Sequence, residues 1–430
     1  MKITLIHGKY FNSWEALGLA YIGGYLKQEL GDNIEIDFFQ GIFDDDDIVI
    51  KNASNSDIVA FSCTTPSFPY AERIAQKLKD IKPNIHTVVG GYHASAIPEQ
   101  TIQSKYIDQV VVGEGEHAML EIVHGNREPI LHGARASFNE LPWPDRKLIK
   151  NERTIEVAVE QAGQRITAFQ SHRACPFRCK YCLDGQNKVL YPEFGPKDMI
   201  PIGYRDVDDL LSEIEAVTDH YKLDLFKFTD PTWNTSIPWV LEFCRKKIAR
   251  KINVPFYPAV HAGLVTAEMA HLLKEAGCHE VACGVESGSP KILKQIGKGT
   301  TVNSIKRGVQ FAKDAGIIVR GYFILGMPDE SEEDIRLTEK LAEELELDEY
   351  GFTILCPYPG TTMYDPVIHA DIDWENTDEY GNDFWHTNHL SNAELHKWQA
   401  YLVEKFSENI CWHNRVLAEN DYDLDKTLEG

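Results

Sequence analysis

Short apolar runs alternate with amphipathic helical patterns along residues 3–112, and this alternation constrains the fold more than any other feature. Apolar residues from Ala71 to Ile81, for example, recur at helical spacing. Strands that alternate with helices form a doubly wound parallel sheet. Five strands favour a flavodoxin-like or Rossmann-like order, in which a ligand lies at the carboxyl ends of the strands. The predicted strands are Ile3–Ile6, Ile34–Phe38, Ile58–Ser62, Thr87–Val89 and Val110–Val112.

A second α/β run extends from Ile166 to Leu355. Its predicted strands are Ile166–Gln170, Leu225–Thr229, Pro255–Val260, Val281–Val285, Ile318–Leu325 and Tyr350–Leu355. Two of the intervening helices end at Gly277 and Gly316, because glycine just past the last apolar position is a common helix stop. Six βα units are fewer than a complete TIM barrel needs, so the pattern predicts a partial (β/α)6 TIM-type barrel.

Prolines mark the boundary between the two runs. The segment Asn139–Arg146 contains Pro142 and Pro144, which prevent a helix or strand from continuing through it. After Asp365 the sequence becomes acidic and rich in aromatic residues, and a helix is predicted over Ala393–Glu408 in a small, mostly helical C-terminal cap. The predicted domains are residues 1–134, a linker over 135–160, the barrel over 161–364 and the cap over 365–430.

Charge and hydropathy argue against two classes of partner. A formal net charge of −23 is unfavourable for nucleic acid, because phosphate binding needs a basic surface. No apolar run reaches the roughly 18–20 residues that a membrane helix needs. The chain begins with a strand pattern rather than a signal peptide, so we expect a cytoplasmic protein. The aspartate run Asp44–Asp47 is typical of a solvated loop, with a metal site as the alternative.

Three of the nine cysteines stand together, whereas the other six are scattered and predicted to be buried free thiols. Cys175, Cys179 and Cys182 have CxxxCxxC spacing directly after the first predicted barrel strand. Three thiolates from one loop can ligate three irons of a [4Fe–4S] cluster and leave the fourth iron open. The alternative is a structural zinc site with His172 as fourth ligand, but zinc sites normally use paired motifs, and the sequence has no second pair. The spacing therefore favours a cluster at the mouth of the barrel.

The cysteine loop resembles the signature of the radical S-adenosylmethionine superfamily, and later segments resemble motifs of its cobalamin-binding class in the same order. These segments are Phe226–Asp230, Gly284–Gly288, Gly321–Pro328 and Pro357–Thr361. The resemblance implies that S-adenosylmethionine binds to the open iron and is cleaved to a 5′-deoxyadenosyl radical. It also implies that this cofactor is surrounded by Tyr181, Asp230, Glu286 and Ser287.

The N-terminal domain resembles the cobalamin-binding domain of the same class. The similar segments are Gly18–Gly23, Gly90–Ser95, Gly113–Glu116 and the linker residues Leu141–Arg146. The resemblance implies a cobalamin site that comprises Ser62, Thr64, Thr65, Gly90, Gly91, His93, Gly113 and Glu114. Adjacent glycines allow the backbone to approach a bulky ligand, and the hydroxyl-rich loop at 62–67 offers hydrogen bonds to a nucleotide tail. A Rossmann-like scaffold without a cofactor is the alternative.

One motif of other cobalamin proteins is missing from this domain. A DxHxxG segment supplies the cobalt-ligating histidine in those proteins, but the segment Asp37–Gly41 contains no histidine. We therefore expect no histidine from that motif beneath cobalt. We interpret His93 as a contact of the nucleotide tail or as a structural residue.

The resemblance implies a C-methyltransferase that uses methylcobalamin to methylate an unactivated carbon of a small molecule, a peptide or a protein side chain. A reductase such as flavodoxin or ferredoxin is expected to supply electrons. One alternative is a non-methylating radical reaction with the same cofactors: oxidation, ring contraction, cyclisation or transfer of another S-adenosylmethionine fragment. A second alternative is a non-catalytic cobalamin-binding sensor. No residue of the sequence is assigned a catalytic role or identifies the substrate.

Overall fold

The fold is that of a computed structural model, which describes residues 1–10, 13–191, 194, 200–411 and 414. The chain divides into two units. Unit 1 comprises residues 1–225 and 357–377, and unit 2 comprises residues 226–356 and the described residues from 378 onward. These units follow a different division from the sequence-based domains, whose boundaries at 134, 160 and 364 stay predictions.

A six-stranded parallel sheet forms the first part of unit 1, in the order β2-β1-β3-β4-β5-β6. Its strands are β1 (Lys2–His7), β2 (Glu35–Gln40), β3 (Ile58–Ser62), β4 (His86–Gly90), β5 (Gln109–Gly113) and β6 (Ile130–Gly133). Its helices are α1 (Leu17–Leu30), α2 (Asp46–Ala53), α3 (Phe68–Ile81), α4 (Tyr92–Ala96), α5 (Pro98–Thr101) and α6 (Glu116–Val123). The flavodoxin-like order is confirmed, and β6 is an edge strand that the sequence pattern did not indicate.

Helices cover both faces of this sheet, as parallel strands require. On one face, Val59 of β3 belongs to a buried cluster with Ile74 of α3. On the other face, Leu5 of β1 belongs to a cluster with Leu26 of α1 and Ile122 of α6. Because side chains alternate between the two faces along a strand, nearly continuous apolar runs are buried on both sides.

The aspartate run at 44–47 supports the start of helix α2. Asp45 caps the helix by accepting a hydrogen bond from the N–H of Asp47 at 2.9 Å. Asp44 pairs with Arg153 at 2.8 Å. Acidic residues at this position interact favourably with the positive end of the helix dipole.

Unit 1 continues through the linker into the cysteine loop. The further elements are α7 (Glu152–Ala162), β7 (Ile166–Phe169), β8 (His172–Arg173), α8 (Asn187–Leu190), β9 (Gly203–Tyr204) and α9 (Val207–Tyr221). Strands β8 and β9 form a short antiparallel ladder that pairs His172 with Tyr204 and Arg173 with Gly203. This ladder holds the chain just before the first cysteine.

Parallel strands joined by helices also form unit 2. The elements after α9 are β10 (Leu225–Phe228), α10 (Ile237–Ala249), β11 (Phe256–Tyr257), β12 (Ala259–Val260), α11 (Ala267–Glu275), β13 (Glu280–Glu286), α12 (Pro290–Ile296), α13 (Val302–Asp314), β14 (Ile318–Leu325), α14 (Glu332–Leu345), β15 (Glu349–Ile354) and α15 (Asn392–Lys405). Strand β10 pairs with β11, and β12 to β15 pair in chain order. Pro258 separates β11 from β12, which the sequence predicted as one strand, and the expected α/β alternation is confirmed.

The C-terminal helix α15 begins with a capping box in which Ser391 and Glu394 each bond to the other's backbone. Its Gln399 side chain donates to the carbonyl oxygen of Phe352 in β15 at 3.1 Å. The predicted cap helix is therefore present, and it packs along the last strand. Among the helices of the described residues, none is long and apolar enough to cross a bilayer.

A buried lysine ties the ends of two helices of unit 2 together. Lys247 is 1% exposed, and its Nζ donates to the carbonyl oxygens of Ile252 at 2.7 Å and of Val254 and Ala276 at 2.8 Å. The three ammonium hydrogens are therefore matched by three acceptors. Burial lowers the pKa of Lys247 to about 8, so the side chain is mainly protonated at neutral pH.

We expect Lys247→Met to lower the free energy of unfolding by about 3 kcal/mol, because it leaves three buried carbonyl groups without a donor. Urea denaturation monitored by circular dichroism measures this loss. The control is Lys246→Met, since Lys246 is half-exposed and pairs with Glu242 at 2.7 Å. An exposed pair of this kind contributes less than about 1 kcal/mol. Equal effects of the two substitutions would contradict the role of Lys247.

Candidate cofactor sites

The predicted cluster ligands follow β8 on one loop of unit 1. Cys175 is buried, Cys179 and Cys182 are partly exposed, and none of the three forms a disulfide. Ala174 immediately precedes them with a φ of 71°. This left-handed conformation costs a residue other than glycine about 1 kcal/mol or more. At Gly185 a Cβ atom would lie 2.5 Å from the carbonyl oxygen of Cys179, so glycine allows the chain to fold back against the loop.

Thiol chemistry and the shared loop suit an iron–sulfur cluster. Burial raises the pKa of the Cys182 thiol, so ligation has to remove its proton. Across the described residues, no three His, Cys, Asp or Glu side chains converge on a preformed metal site. The three ligands therefore stay a prediction that rests on their chemistry and common loop. His172, the alternative zinc ligand, is fully buried, and its ring centroid lies 5.2 Å from that of Tyr204.

Three of the predicted cobalamin contacts end neighbouring strands of the parallel sheet. Ser62, Gly90 and Gly113 are the last residues of β3, β4 and β5. In the loop after β3, the Ser67 hydroxyl accepts from the N–H of Thr64 at 2.9 Å and donates to its carbonyl oxygen at 3.1 Å. We call residues 62–67, 90–95 and 113–116 the corrinoid edge. A doubly wound sheet binds ligands at this edge.

Two glycines of the corrinoid edge are required by neighbouring backbone. Gly91 has a φ of 93°, and a Cβ there would lie 2.7 Å from the carbonyl oxygen of Cys63. Gly113 has a φ of 83°, and a Cβ there would lie 2.7 Å from the carbonyl oxygen of Leu190. Contacts within the protein therefore explain both glycines, and the predicted contacts of Gly91 and Gly113 with cobalamin stay predictions. Gly90 has only ordinary contacts, so the expected close approach of a ligand applies best to it.

His93 is built into the corrinoid edge. It is 5% exposed, and its ring stacks on Phe68 with centroids 4.2 Å apart. Its Nδ1 lies 3.4 Å from the hydroxyl oxygen of Thr65, which is also buried. Burial lowers the pKa of His93 to about 4, so the ring is neutral at physiological pH. These contacts agree with a structural residue, and its contact with cobalamin stays a prediction.

His7, which the sequence did not single out, ends β1 beside the corrinoid edge. Its Nδ1 is buried and has no hydrogen-bond partner among the described residues. Strands β1 and β3 are neighbours at the point where the strand order reverses, which is where doubly wound sheets bind ligands. An orphaned ring nitrogen at this point suits a polar group of a ligand, such as a corrinoid amide. The only signal in the sequence is a polar residue at the end of an apolar strand.

Hydrogen bonds from other groups of this chain occupy the carboxylate of Glu114. Its Oε2 accepts from the N–H of Ala136 and from Arg173, both at 2.8 Å. Its Oε1 accepts from the hydroxyl of Tyr191 at 3.3 Å. The predicted contact of Glu114 with cobalamin stays a prediction. The structure shows this side chain as a junction between the corrinoid edge and the chain that precedes the cysteines.

Buried charges also fix strand β7, which leads to the cysteine loop. Arg146 of the linker donates to the carbonyl oxygen of Ala168 at 2.8 Å and pairs with Glu213 at 2.9 Å. Arg205 pairs with the second oxygen of Glu213. The N–H of Ala168 donates to Glu15 at 3.0 Å. Side chains thus satisfy both backbone groups of Ala168, as a neighbouring strand would.

Three of the predicted S-adenosylmethionine contacts lie at strand ends of unit 2, whereas Tyr181 lies in the cysteine loop of unit 1. Asp230 follows β10 and is 3% exposed. Glu286 ends β13, is 5% exposed and has a φ of 65°. A left-handed glutamate costs about 1–3 kcal/mol, and such strain is concentrated at functional sites. The hydroxyl of Ser287 lies 3.1 Å from that of Thr338, so it also contributes to the packing of α14.

A lysine outside every predicted motif balances the charge of Glu286. The Nζ of Lys298 pairs with Glu286 Oε1 and donates to the carbonyl oxygen of Gly284 at 2.8 Å. The two charged side chains are 10% and 6% exposed, so each depends on the other in a poorly solvated region. Local sequence gave no signal for this partner, because Lys298 follows α12 and reaches back to the strand.

Two family models match the chain. A B12 binding domain matches residues 3–123, and the radical SAM superfamily matches residues 169–342. The chain therefore contains a B12-binding domain followed by a radical S-adenosylmethionine domain. The resemblance drawn from the cysteine loop, the later motifs and the N-terminal segments is confirmed.

Similar proteins extend over both domains. An uncharacterized methyltransferase of Pyrococcus horikoshii is 29% identical over 82% of this chain and 78% of its own length. An anaerobic magnesium-protoporphyrin IX monomethyl ester cyclase of Rubrivivax gelatinosus is 25% identical over 85% of this chain and 69% of its own. The structure of the methyltransferase TsrM of Kitasatospora setae, with cobalamin and a [4Fe–4S] cluster bound, has a TM-score of 0.67 and 17% identity over 84% of this chain and 73% of TsrM. That likeness shows a shared fold.

Glu330 closes the loop after β14, next to the segment that resembles a family motif. Its Oε2 accepts from the N–H groups of Gly326 at 2.5 Å and Met327 at 3.2 Å. Its Oε1 is buried without a hydrogen-bond partner among the described residues. Trp385 packs against this loop and donates to the carbonyl oxygen of Gly326 at 2.6 Å. Burial raises the pKa of Glu330 to about 8, although the two N–H groups oppose the shift.

We expect stability to fall as the pH rises toward 8, because the folded chain holds a proton on Glu330 that the unfolded chain releases near pH 4.5. Glu330→Gln keeps the acceptor for both N–H groups and cannot ionise. From pH 6 to pH 8, wild type should therefore lose about 2 kcal/mol relative to Glu330→Gln. Urea denaturation at both pH values measures this difference. The control Glu332→Gln removes an exposed carboxyl group and should leave the pH dependence of stability unchanged. An unchanged pH dependence in Glu330→Gln would contradict the presence of a buried proton on Glu330.

Proposed function

We propose that this protein is a cobalamin-dependent radical S-adenosylmethionine methyltransferase that methylates an unactivated carbon. One contact carries the proposal, because it joins the corrinoid edge to the cysteine loop within unit 1. The hydroxyl of Tyr92, next to Gly91, donates to Asp184 at 3.2 Å, and Asp184 lies two residues after Cys182. The relative that is named as a methyltransferase and the fold shared with TsrM support methylation.

Each predicted site residue has a role in this proposal. The cluster is held by Cys175, Cys179 and Cys182. The shell of S-adenosylmethionine comprises Tyr181, Asp230, Glu286 and Ser287, and Lys298 balances the charge of Glu286. The cobalamin site comprises Ser62, Thr64, Thr65, Gly90, Gly91, His93, Gly113 and Glu114.

When bound, the cofactors supply the reductive cleavage of S-adenosylmethionine, the deoxyadenosyl radical and the transferable methyl group. The chain binds, orients and shields them. Hydroxyl groups of the loop at 62–67 offer hydrogen bonds to the corrinoid, and Asp230 and Glu286 offer carboxylates to the amino and hydroxyl groups of S-adenosylmethionine. A reductase such as flavodoxin or ferredoxin provides the two electrons that each turnover needs, one for the cleavage of S-adenosylmethionine and one for the reduction of cobalamin. The substrate is a small molecule, a peptide or a protein side chain.

A non-methylating radical reaction with the same cofactors is the second candidate. The relative that is named as an anaerobic cyclase favours it, because that protein extends over both domains with 25% identity. The two candidates differ in their products. Radical methylation consumes two molecules of S-adenosylmethionine, and it yields one 5′-deoxyadenosine and one S-adenosylhomocysteine. Cyclisation or oxidation yields 5′-deoxyadenosine alone.

The products of S-adenosylmethionine therefore test the proposal. We expect the full chain, reconstituted with iron, sulfide and hydroxocobalamin and reduced with titanium citrate, to release both 5′-deoxyadenosine and S-adenosylhomocysteine. Mass spectrometry of the quenched mixture measures both. Deoxyadenosine without S-adenosylhomocysteine would establish the second candidate instead. The absence of both would favour the cobalamin-binding sensor.

Replacing Cys175, Cys179 and Cys182 with alanine should abolish the broad visible absorption of the reconstituted cluster and the formation of 5′-deoxyadenosine, because alanine offers iron no ligand. Absorption spectra and iron content after anaerobic reconstitution measure the loss. The control is Cys244→Ala, which removes a buried thiol of α10 and should leave the cluster intact. Persistence of the cluster in the triple variant would exclude these ligands.

A further inference from the structure

Two carboxylates bind Arg173, and we call the buried cluster of Arg173, Glu114 and Glu116 the fork. Arg173 Nη1 lies 2.8 Å from Glu114 Oε2, and its Nη2 lies 2.7 Å from Glu116 Oε1. Nη1 also lies 3.3 Å from the second oxygen of Glu116, so this pair is bidentate. The three side chains are 11%, 8% and 3% exposed. Charge-assisted pairs of this geometry fix direction as well as distance.

Aromatic rings further restrict this guanidinium. Its Cζ atom lies 5.3 Å from the ring centroid of Tyr21 and 5.0 Å from that of Phe138. These two rings meet edge to face with centroids 5.9 Å apart. Cation–π contacts gain strength where water is excluded. Arg173 therefore has little freedom to leave the fork.

The fork joins two segments with different proposed roles. Glu114 and Glu116 follow β5 at the corrinoid edge, whereas Arg173 ends β8 two residues before Cys175. Only Ala174, in its left-handed conformation, separates the arginine from that cysteine. A displacement of the guanidinium is therefore transmitted directly to the cysteine loop.

A second contact holds the other end of the loop. Tyr92 of the corrinoid edge donates to Asp184, which follows Cys182. The neighbouring Leu183 lies close to Gly360, where a Cβ atom would lie 2.6 Å from the leucine side chain. Both ends of the cysteine loop are thus fixed inside unit 1, and Arg173 supplies the charged contact.

We propose that Arg173 is a positioning residue that acts through Glu114 and Glu116 to hold the cysteine loop at a fixed separation from the corrinoid edge. The inference rests on the proposed function, because only a reaction that uses both cofactors needs this separation. Arginine suits the role because its planar guanidinium group can donate to two carboxylates in a fixed geometry, whereas the ammonium group of lysine cannot form paired bonds of this kind.

Electron paramagnetic resonance tests this separation without any turnover. In the full chain reconstituted with cluster and cob(II)alamin, the reduced cluster speeds the relaxation of the cobalt spin, and microwave power saturation measures this effect. Loss of a supporting contact loosens a site by about 1 Å. Because dipolar relaxation falls with the sixth power of distance, we expect Arg173→Gln to reduce the enhancement roughly twofold for centres on the order of 10 Å apart. Arg173→Lys should give an intermediate relaxation enhancement, since it keeps the positive charge and loses the planar guanidinium group.

The matched control is Arg73→Gln, which removes an exposed arginine of unit 1 that forms a bidentate pair with Glu375 at 2.7 Å. It should leave the relaxation unchanged. Iron and cobalamin are quantified in every sample, so that variants are compared at equal occupancy. If Arg173→Gln does not fold, Glu116→Gln removes one arm of the fork and should shift the relaxation in the same direction.

Two results would overturn the inference. One is unchanged relaxation in Arg173→Gln, or in Glu116→Gln where that variant replaces it, at full occupancy. The other is loss of cobalamin with the cluster retained, which would place Arg173 in the corrinoid site itself. Neither depends on methyl transfer, so a failure of the proposed function would appear separately, as missing S-adenosylhomocysteine with normal relaxation.

Discussion

The carboxylate of Glu213 links the elements on which the cysteine loop depends. It is 1% exposed and pairs with Arg146 of the linker through one oxygen and with Arg205 through the other. Burying such charges is costly unless every donor and acceptor finds a partner. That condition is largely met here, because Arg146 also reaches the carbonyl oxygen of Ala168. Arg205 directly follows β9, which pairs with β8 just before the cysteines, so one buried carboxylate fixes the approach to the loop from two sides.

Backbone strain appears at a predicted site in each unit. Ala174 precedes the cluster ligands and Glu286 ends β13, and both have a positive φ that glycine would adopt without cost. Each is held by strong neighbouring contacts: the fork around Arg173 fixes the first, and the ion pair with Lys298 fixes the second. Strain of this kind persists only where the surrounding structure over-determines the backbone conformation.

The periodicity of the sequence predicted the parallel sheet and the α/β repeat, because strands that are buried on both faces consist of nearly continuous apolar runs. It missed β6, since Ile130–Gly133 is short and half polar, and it joined β11 to β12 across Pro258. The resemblance alone assigned Glu114 to the cobalamin site, whereas in the structure its carboxylate accepts hydrogen bonds from Arg173, Ala136 and Tyr191. Partners of this kind lie tens of residues apart in sequence, and local spacing carries no information about such long-range pairs.

The two cofactors proposed here impose different demands on the chain. The predicted cluster ligands lie on one short loop, and the predicted corrinoid contacts lie at the carboxyl ends of parallel strands, so motifs and strand periodicity can indicate either site. Their relative position cannot, because it depends on contacts between distant segments. Glu15, Arg146 and Arg173 supply those contacts, and each joins the N-terminal sheet or the linker to β7 or the cysteine loop. All three act within unit 1, so this buried charge network connects the segments that carry the two proposed sites.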